Sequence, residues 1–208
     1  MKILLVHNRY QIPGGEEVVF EQERDMLERA GHHVVIYSRS NFEAESYTGT
    51  QRLALVKNIT WSSDSKEQMS RMLREEKPDL VHVHNTFMMM SPSVFSACRE
   101  AGVPVVQTLH NYRLFCPAAN FVREGKPCEE CADNSLFSGI AHGCYRDSRT
   151  ATATVALMIK VQRQREAWPD LFIALSEFSR RLELRRGRVG RARPPAAVGA
   201  EDQIPSVA

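Results

Sequence analysis

Short apolar segments alternate with longer segments of helical periodicity over about the first 180 residues, and this alternation constrains the fold more than any other feature. The apolar segments, rich in β-branched residues, are 2–6, 33–38, 80–84, 105–109 and 171–175. The helical segments are 16–30, 65–76, 91–101 and 149–166. Strands that alternate with helices form parallel sheets through right-handed crossovers. The sequence therefore predicts an α/β fold, a Rossmann-like doubly wound parallel sheet.

Three segments interrupt this alternation. Residues 7–15 and 39–60 lack a strong period, which predicts a loop in the first and a loop with one short helix at most in the second. The segment between Leu109 and Arg149 is rich in Gly, Cys and polar side chains. Long irregular segments of this kind are usually functional. The sequence thus predicts a long cysteine-containing loop after the fourth strand.

Polar residues and glycines follow three of the predicted strands at the point where each strand ends. These candidate ligand-binding residues are Gly14, Gly15, His84, Asn85, His110, Asn111 and Tyr112. In an open α/β sheet, ligands bind beyond the carboxyl ends of the strands. Imidazoles, amides and a phenol supply donors and acceptors without a fixed charge, which favours polyhydroxyl ligands, above all sugars. For His82, which lies deeper in its strand, we expect a purely structural role. For His110, a purely structural role is the alternative to ligand binding.

The glycine turn after the first strand does not predict a dinucleotide site. The pattern G-x-G-x-x-G is absent. Glu16 and Glu17 would also place two negative charges at the helix N-terminus, where a pyrophosphate would have to bind. We expect a tight turn or a loop that contacts sugar hydroxyls.

The cysteine spacing is compatible with a metal site in the long loop. Cys128 and Cys131 form a C-x-x-C pair, with the single residues Cys116 before it and Cys144 after it. Four thiolates at such spacing can bind a structural Zn²⁺ ion. Free thiols and disulfides are the alternatives, and a reducing compartment disfavours disulfides. A thioredoxin-like role is not predicted, because no strand leads directly into the C-x-x-C pair.

Five ordered segments resemble the N-terminal domain of the retaining glycosyltransferases of family 4, over about residues 1–182. They are KILLVHNRYQIPGGEE, PDLVHVHN, VPVVQTLHNYRLFCP, GKPCEEC with HGCYRDSR, and DLFIALSEFSR. The resemblance implies the first, acceptor-side lobe of a GT-B fold. It also implies transfer of a sugar from a nucleotide-sugar donor with retention of configuration, without a divalent metal at the reaction centre or any other catalytic cofactor.

The same resemblance implies roles for individual residues. Gly14 and Gly15 match the loop that approaches the donor and the reaction centre, and His110 matches the active-site histidine that contacts the donor sugar. His84 and Asn85 would line the acceptor side. Because family members often act on lipid-linked or envelope acceptors, the helix predicted at 149–166 is a candidate for peripheral membrane contact, although packing on the sheet is the simpler interpretation.

Nothing in this sequence matches the second, nucleotide-binding domain that family 4 enzymes carry. Residues 183–208 are instead predicted to be a disordered Arg-, Pro- and Ala-rich tail, since seven arginines between 180 and 193 leave no apolar period. A nucleic-acid-binding arm is the alternative for this tail, but stacking aromatic residues are absent. We therefore expect a truncated or frameshifted enzyme, weak or inactive alone, whose partners include no nucleic acid.

Composition sets the remaining expectations. The net charge of +2 does not by itself favour a nucleic acid or a membrane as partner. No run of eighteen apolar residues occurs and residues 1–6 do not resemble a signal peptide, which predicts a cytoplasmic chain. Two other functions fit the same pattern. One is a non-catalytic module that binds a glycan or a partner protein, and the other is a small zinc-stabilised α/β protein without a sugar ligand.

Overall fold

The computed structural model describes residues 1–133 and 135–185, and its central element is a five-stranded sheet. The strands are β1 (Lys2–Arg9), β2 (His33–Ser40), β3 (Leu80–Asn85), β4 (Val105–Leu109), β5 (Val122–Arg123), β6 (Lys126–Pro127) and β7 (Leu171–Ala174). The sheet has the order β2-β1-β3-β4-β7, and all its neighbouring strands are parallel. This order reverses direction between β1 and β3, where α/β sheets bind ligands.

Helices cover both faces of the sheet, as a doubly wound fold requires. They are α1 (Gly15–Arg29), α2 (Gly49–Thr60), α3 (Ser63–Glu76), α4 (Ser93–Ala101), α5 (Glu130–Asp133), α6 (Phe137–His142), α7 (Arg149–Gln164) and α8 (Glu177–Arg185). The predicted Rossmann-like fold with a parallel sheet is confirmed. Each of the four helical segments predicted between strands contains a helix, with ends that differ by one or two residues.

Side-chain alternation along β1 divides the core between the two faces. Leu4 and Val6 contact the larger cluster, which includes Met69 of α3 and Phe95 of α4. Ile3 and Leu5 point to the other face and join Phe20 of α1 in a smaller cluster. Successive residues of a strand point to opposite faces, so one apolar run can supply both clusters.

Two of the predicted loops contain more regular structure than expected. β1 continues to Arg9, because residues 7–9 remain paired with 38–40 of β2 although two of them are polar and buried. The segment 39–60 extends β2 to Ser40 and then forms a 3₁₀ helix at Asn41–Ser46 and the full helix α2. α2 packs through Ile59 against α7, a tertiary contact that periodicity alone did not reveal.

The last described helix extends past residue 182, where the disordered tail was expected to begin. α8 ends at Arg185, and both Leu182 and Glu183 are buried. The rest of the predicted tail, 186–208, lies outside the described residues. Among the helices described, none combines the length and the apolar character needed to cross a bilayer. The apolar half of α7 packs against α2 and α6 through residues such as Val155 and Ile159.

Candidate functional site

A polar cavity lies at the carboxyl edge of the sheet, beyond the ends of β3 and β4. It has a volume of about 50 Å³ and is open to solvent. Five of the polar residues that line it are His84, Asn85, His110, Asn111 and Arg113. Four of these were predicted from the sequence as ligand-binding residues, so the structure brings together predicted side chains that are up to 27 positions apart in the chain.

One side of this region is formed by four imidazoles, which we call the histidine wall: His7, His82, His84 and His110. His7 lies on β1, His82 and His84 lie on β3, and His110 directly follows β4. The ring centroids of His82 and His84 are 4.5 Å apart, and those of His84 and His110 are 5.2 Å apart. The wall therefore crosses the point between β1 and β3 at which the strand order reverses.

Glu23 of α1 contacts the wall and determines which ring nitrogens carry protons. Its Oε1 is 2.9 Å from Nδ1 of His82, and its Oε2 is 3.5 Å from Nε2 of His84. Oε1 of Glu23 can accept a hydrogen bond from Nδ1 of His82. Its contact with His84 is longer than a hydrogen bond, and Nε2 of His84 has no hydrogen-bond partner among the described residues, but the negative charge of the carboxylate favours a proton on that nitrogen. Nε2 of His82 then accepts from the Thr108 hydroxyl at 2.8 Å.

The same reasoning extends from His84 to His110. With its proton on Nε2, His84 accepts at Nδ1 from Nε2 of His110, which is 3.0 Å away. The neutral ring of His110 then keeps a lone pair on Nδ1. Glu23 thus acts through His84 to fix the tautomer of the imidazole that lines the cavity.

Burial keeps three rings of the wall uncharged. Burial, reinforced by the neighbouring imidazoles, lowers the pKa of His84 to about 2. Burial also lowers the pKa of His7 to about 4, although the nearby Glu17 acts in the opposite direction. The pKa of His110 is lowered as well, again mainly by burial, with Glu23 opposing the shift. At neutral pH these three rings are neutral.

His7 is the member of the wall that the sequence analysis assigned to a loop. Its side chain is fully buried, stacks on Phe20 at a centroid distance of 4.8 Å, and has Nε2 3.7 Å from Oε1 of Glu17. That distance is too long for a hydrogen bond. His7 therefore contributes a buried polar ring that the described residues leave without a hydrogen-bond partner.

The glycine turn is held by Glu17, and its two glycines face solvent. The Glu17 carboxylate accepts from the backbone N–H of Tyr10 at 3.0 Å and of Gly14 at 2.8 Å. Burial alone would raise the pKa of Glu17, but these bonds and His7 bring it below its usual value. A Cβ built on Gly15 meets no atom within 4 Å, and one on Gly14 meets only Glu17 at 3.8 Å. The folded chain itself therefore leaves this turn open to a ligand.

Glu16 links the glycine turn to the loop after β4. Its Oε1 accepts from Nδ2 of Asn111 at 2.6 Å, and Oδ1 of Asn111 accepts from the backbone N–H of Arg113 at 3.0 Å. Burial raises the pKa of Glu16, and the hydrogen bond from Asn111 opposes that shift. Asn111 thus connects two loops, and Glu16, which entered the sequence analysis only as an argument against a phosphate, is part of the site.

Two of the predicted ligand-binding side chains are occupied by contacts within the protein. Asn85 is buried, donates to the backbone carbonyl of Asn8 at 2.8 Å and accepts from the N–H of Phe87 at 2.9 Å. Tyr112 packs its ring against Phe121 and Phe178, in an apolar cluster beside the site. Neither side chain points its polar group freely at the cavity.

Sequence reasoning missed Glu23 and Arg113. Glu23 lies on the apolar stripe of α1, three residues after Phe20 and four before Leu27, and a charged residue on such a stripe is a signal that could have identified it. Arg113 stacks over Phe87 at 4.2 Å and donates to the carbonyl of Pro117 at 2.8 Å. No local pattern distinguished this arginine, because its aromatic partner belongs to another loop.

The structure also brings together the cysteines that were predicted as metal ligands. Cys116, Cys128, Cys131 and Cys144 line a second, smaller cavity in the long loop. Within the part of the chain that is described, however, the group with three potential ligand atoms inside 4.8 Å is Glu23 with His82 and His84. The contacts of these three residues with one another and with Thr108 and His110 account for their positions without a metal.

The sequence model of Glycosyltransferase Family 4 matches residues 13–193. No curated protein matches the chain in sequence. Among solved structures, the S. aureus MnaA-UDP co-structure is similar with 15% identity and a TM-score of 0.49, over 92% of this chain and 42% of that chain. UDP-GlcNAc 2-epimerase from Methanocaldococcus jannaschii is similar with 14% identity and a TM-score of 0.46, over 90% of this chain and 43% of that chain. The chain thus spans less than half the length of either structure.

Proposed function

The chain belongs to glycosyltransferase family 4, and from this premise we propose that it forms the acceptor-side lobe of a retaining, nucleotide-sugar-dependent glycosyltransferase. The observation that carries the proposal is the environment of His110. This residue lies at the end of β4, lines the polar cavity, and has its Nε2 bound to His84. It is also the residue that matches the active-site histidine of the family.

The neutral ring of His110 suits a glycosyl-transfer centre. Positive charge develops at the sugar as its bond to the leaving phosphate breaks. A protonated imidazole beside that sugar would oppose this charge, whereas a neutral imidazole does not. The lone pair that the Glu23 network leaves on Nδ1 can accept a hydrogen bond from a sugar hydroxyl and so orient the donor sugar.

Gly14 and Gly15 supply the open side of the site. Because no protein atom fills the space where a side chain would stand at Gly15, a donor can approach the backbone there. Glu16 and Asn111 join this turn to the loop that carries His110, so we assign them to substrate positioning. We assign Asn85 and His84 to supporting roles without direct contact with the substrate. Asn85 fixes the loop after β3, and His84 orients His110.

Tyr112 and Arg113 complete the acceptor side. The Tyr112 ring packs in the apolar cluster beside the cavity, and we assign it to shaping the acceptor wall rather than to a direct hydrogen bond. The Arg113 side chain lines the cavity and adds a positive charge to an otherwise neutral surface. A charged or polar acceptor group can pair with it.

The remaining parts of the assignment follow from the family. The donor nucleotide would bind mainly to a second lobe, and the acceptor would be a sugar or lipid-linked glycan of the kind used for envelope polysaccharides. We propose that the reaction takes place in the cytoplasm and that a lipid-linked acceptor brings the chain into peripheral contact with the membrane. We propose no catalytic cofactor and no nucleic acid as partner.

A transfer assay tests this proposal. The chain would be assayed alone and within a two-lobed protein in which a donor lobe of a family member follows it, with a panel of nucleotide sugars and acceptors. We expect turnover from the two-lobed protein and little from the chain alone, because the second lobe supplies nucleotide affinity and stabilises the leaving phosphate.

His142 provides the matched control. It is an exposed histidine outside the cavity, so His142→Ala should leave turnover unchanged while His110→Ala lowers it. Saccharide binding without transfer by any two-lobed protein would instead support the non-catalytic glycan-binding module. Equal turnover by the isolated chain would contradict the assignment to one lobe.

A further inference from the structure

The segment 110–148, which we call the cysteine loop, contains little regular structure of its own. Its strands β5 and β6 have two residues each, and its helices α5 and α6 have four and six. Five of its non-glycine residues adopt positive φ: Ala119, Phe121, Glu124, Arg146 and Asp147. Such residues persist only where their surroundings hold them in place. The loop therefore needs a source of order beyond its short helices and strands.

Four of the chain's five cysteines converge in this loop. Cys116, Cys128, Cys131 and Cys144 line one cavity, although the first and last are separated by 27 residues. Cys98 lies apart, on the buried face of α4. Backbone hydrogen bonds fix the approach of each segment: the N–H of Cys128 donates to the Phe121 carbonyl at 2.7 Å, and that of Cys144 to the Gly139 carbonyl at 3.1 Å.

The surroundings of the four sulfur atoms suit thiolates. The backbone N–H of Gly139 donates to Sγ of Cys131. A side chain at Gly139 would not fit, because its Cβ would lie 3.2 Å from that sulfur and 3.2 Å from Cγ of Pro117. Arg123 lines the same cavity, and Glu130 holds its guanidinium at 2.6 and 2.9 Å. The N–H donor offsets part of the negative charge of a four-thiolate metal site, whereas the charge of Arg123 is shared with the Glu130 carboxylate.

From this arrangement we infer that Cys116, Cys128, Cys131 and Cys144 bind one structural Zn²⁺ ion, which orders the cysteine loop. Tetrahedral Zn²⁺ with Zn–S bonds of about 2.3 Å requires sulfur atoms about 3.8 Å apart. No three of these described sulfurs lie within 4.8 Å of one another. Cys128 and Cys144 are only half-buried, so rotation about their Cα–Cβ bonds can bring them to the ion.

Metal binding would also stabilise the loop. Thiolates are the form in which cysteines bind Zn²⁺, and the site forms only when the loop is folded, so the binding free energy of the ion adds to the stability of the loop.

The experiment measures zinc in the full-length chain purified without chelators. We expect one zinc per chain by elemental analysis, and with cobalt in place of zinc the visible absorption bands of tetrahedral cobalt bound to thiolates. Cys128→Ala should lose the zinc and the cobalt bands. Cys98→Ala, the same substitution at the cysteine outside the loop, should retain both.

A chelator added to the wild-type chain should lower the melting temperature and make 110–148 accessible to protease, and zinc should restore both. The chelator should have no effect on Cys128→Ala. A wild-type chain without metal whose melting temperature does not respond to zinc would overturn the inference. So would fewer than five free thiols in the denatured, unreduced protein, because that result would show disulfides in place of the metal site.

Discussion

The histidine wall and the cysteine loop both contain clustered side chains with ring nitrogens or sulfurs, but the fold supports them differently. The wall lies on β1 and β3 and directly after β4, and Glu23 of α1 contacts it. Its positions are set by strand register, for example the pairing of His7 with Asn85. The cysteine loop has short elements and a small cluster around Phe115 and Phe121.

The difference shows how each region can tolerate its polar groups. In the wall, a rigid scaffold holds neutral imidazoles in contact with one carboxylate, and the cost of burial appears as lowered pKa values. In the loop, no comparable scaffold exists, so the order would come from the ligand that the cysteines share. We therefore expect the wall to be sensitive to protons and the loop to be sensitive to metal.

The largest expected effect is acid destabilisation of the wall. His7 and His84 have folded pKa values of about 4 and about 2, below the unfolded value of about 6.5. The unfolded chain thus binds protons more readily, and stability falls as pH drops below 6.5. Each ring should cost about 2 kcal/mol between pH 7 and pH 5, or about 4 kcal/mol together. Urea unfolding at the two pH values measures this loss.

A substitution at His7 sharpens the acid prediction. His7→Phe keeps a ring that can stack on Phe20 and removes the titrating group, so the loss between pH 7 and pH 5 should fall by about half. His142→Phe, at an exposed histidine, should leave the loss unchanged. If His7→Phe unfolds with the same pH dependence as the wild type, burial of His7 is not its cause.

The next prediction distinguishes the roles of the two ring nitrogens of His110. In His110→Gln the amide nitrogen can replace Nε2 as donor to His84, but the acceptor Nδ1 is lost. We expect stability within about 0.5 kcal/mol of the wild type and a loss of about 100-fold in kcat/KM in the two-lobed protein.

His110→Asn makes the opposite change, since its amide lies near the Nδ1 position and leaves His84 without a donor. That variant should lose about 1 to 3 kcal/mol of stability, because a buried acceptor remains unpaired. The acceptor at risk is Nδ1 of His84, which is buried and receives its hydrogen bond from His110. Full activity of His110→Gln would remove Nδ1 from the proposed mechanism.

A third prediction concerns Glu23 as a positioning residue. In the wild type, the rings of His82 and His84 both present an N–H group to the Glu23 carboxylate. The amide of Glu23→Gln has one oxygen and one NH₂ group, so one of the two rings would face a donor. We therefore expect a loss of about 1 to 3 kcal/mol in unfolding free energy. Because the tautomer of His110 changes, kcat in the two-lobed protein should fall and its pH profile should shift, while KM changes little. Glu28→Gln, on the exposed face of α1, is the control. An unchanged pH profile would limit Glu23 to a structural role.

The sequence predicted the ends of β3 and β4 to within one residue, because these ends depend on local pattern. His84, Asn85, His110 and Asn111 line the cavity, since β-branched runs fix where the parallel strands end. The sequence could not predict which of these side chains remain available to a ligand. Asn85 is saturated by the backbone around it, and that depends on how two loops fold against each other.

Long-range partners account for the other errors. The full length of α2 was not predicted within the segment 39–60, because its packing partner α7 lies about one hundred residues later in the chain. Glu23 reaches the wall only because α1 packs over the strands that carry His82 and His84. Such contacts follow from the topology of the sheet, and a single local pattern does not encode them.

The smallest effect comes from two glycines, Gly15 in the glycine turn and Gly139 in the cysteine loop. Gly139 is in the helix α6 and Gly15 begins α1, so alanine should favour the helix at either position by up to about 1 kcal/mol. At Gly15 the added Cβ meets nothing within 4 Å, and we expect a gain of about 0.5 kcal/mol in unfolding free energy. At Gly139 the Cβ would be 3.2 Å from both the Cys131 sulfur and Pro117, and such overpacking costs about 1 to 3 kcal/mol.

The two substitutions should therefore change stability in opposite directions, which urea unfolding of both variants would measure. Zinc adds a second test, because a metal-bound Cys131 cannot move away from a new methyl group. Gly139→Ala should then bind zinc more weakly than the wild type, while Gly15→Ala binds it normally. Gly15→Ala should instead weaken nucleotide-sugar binding by the two-lobed protein, since the methyl group occupies the open side of the turn. If both variants gained stability equally, the sulfur at Cys131 would not be confined as the structure shows.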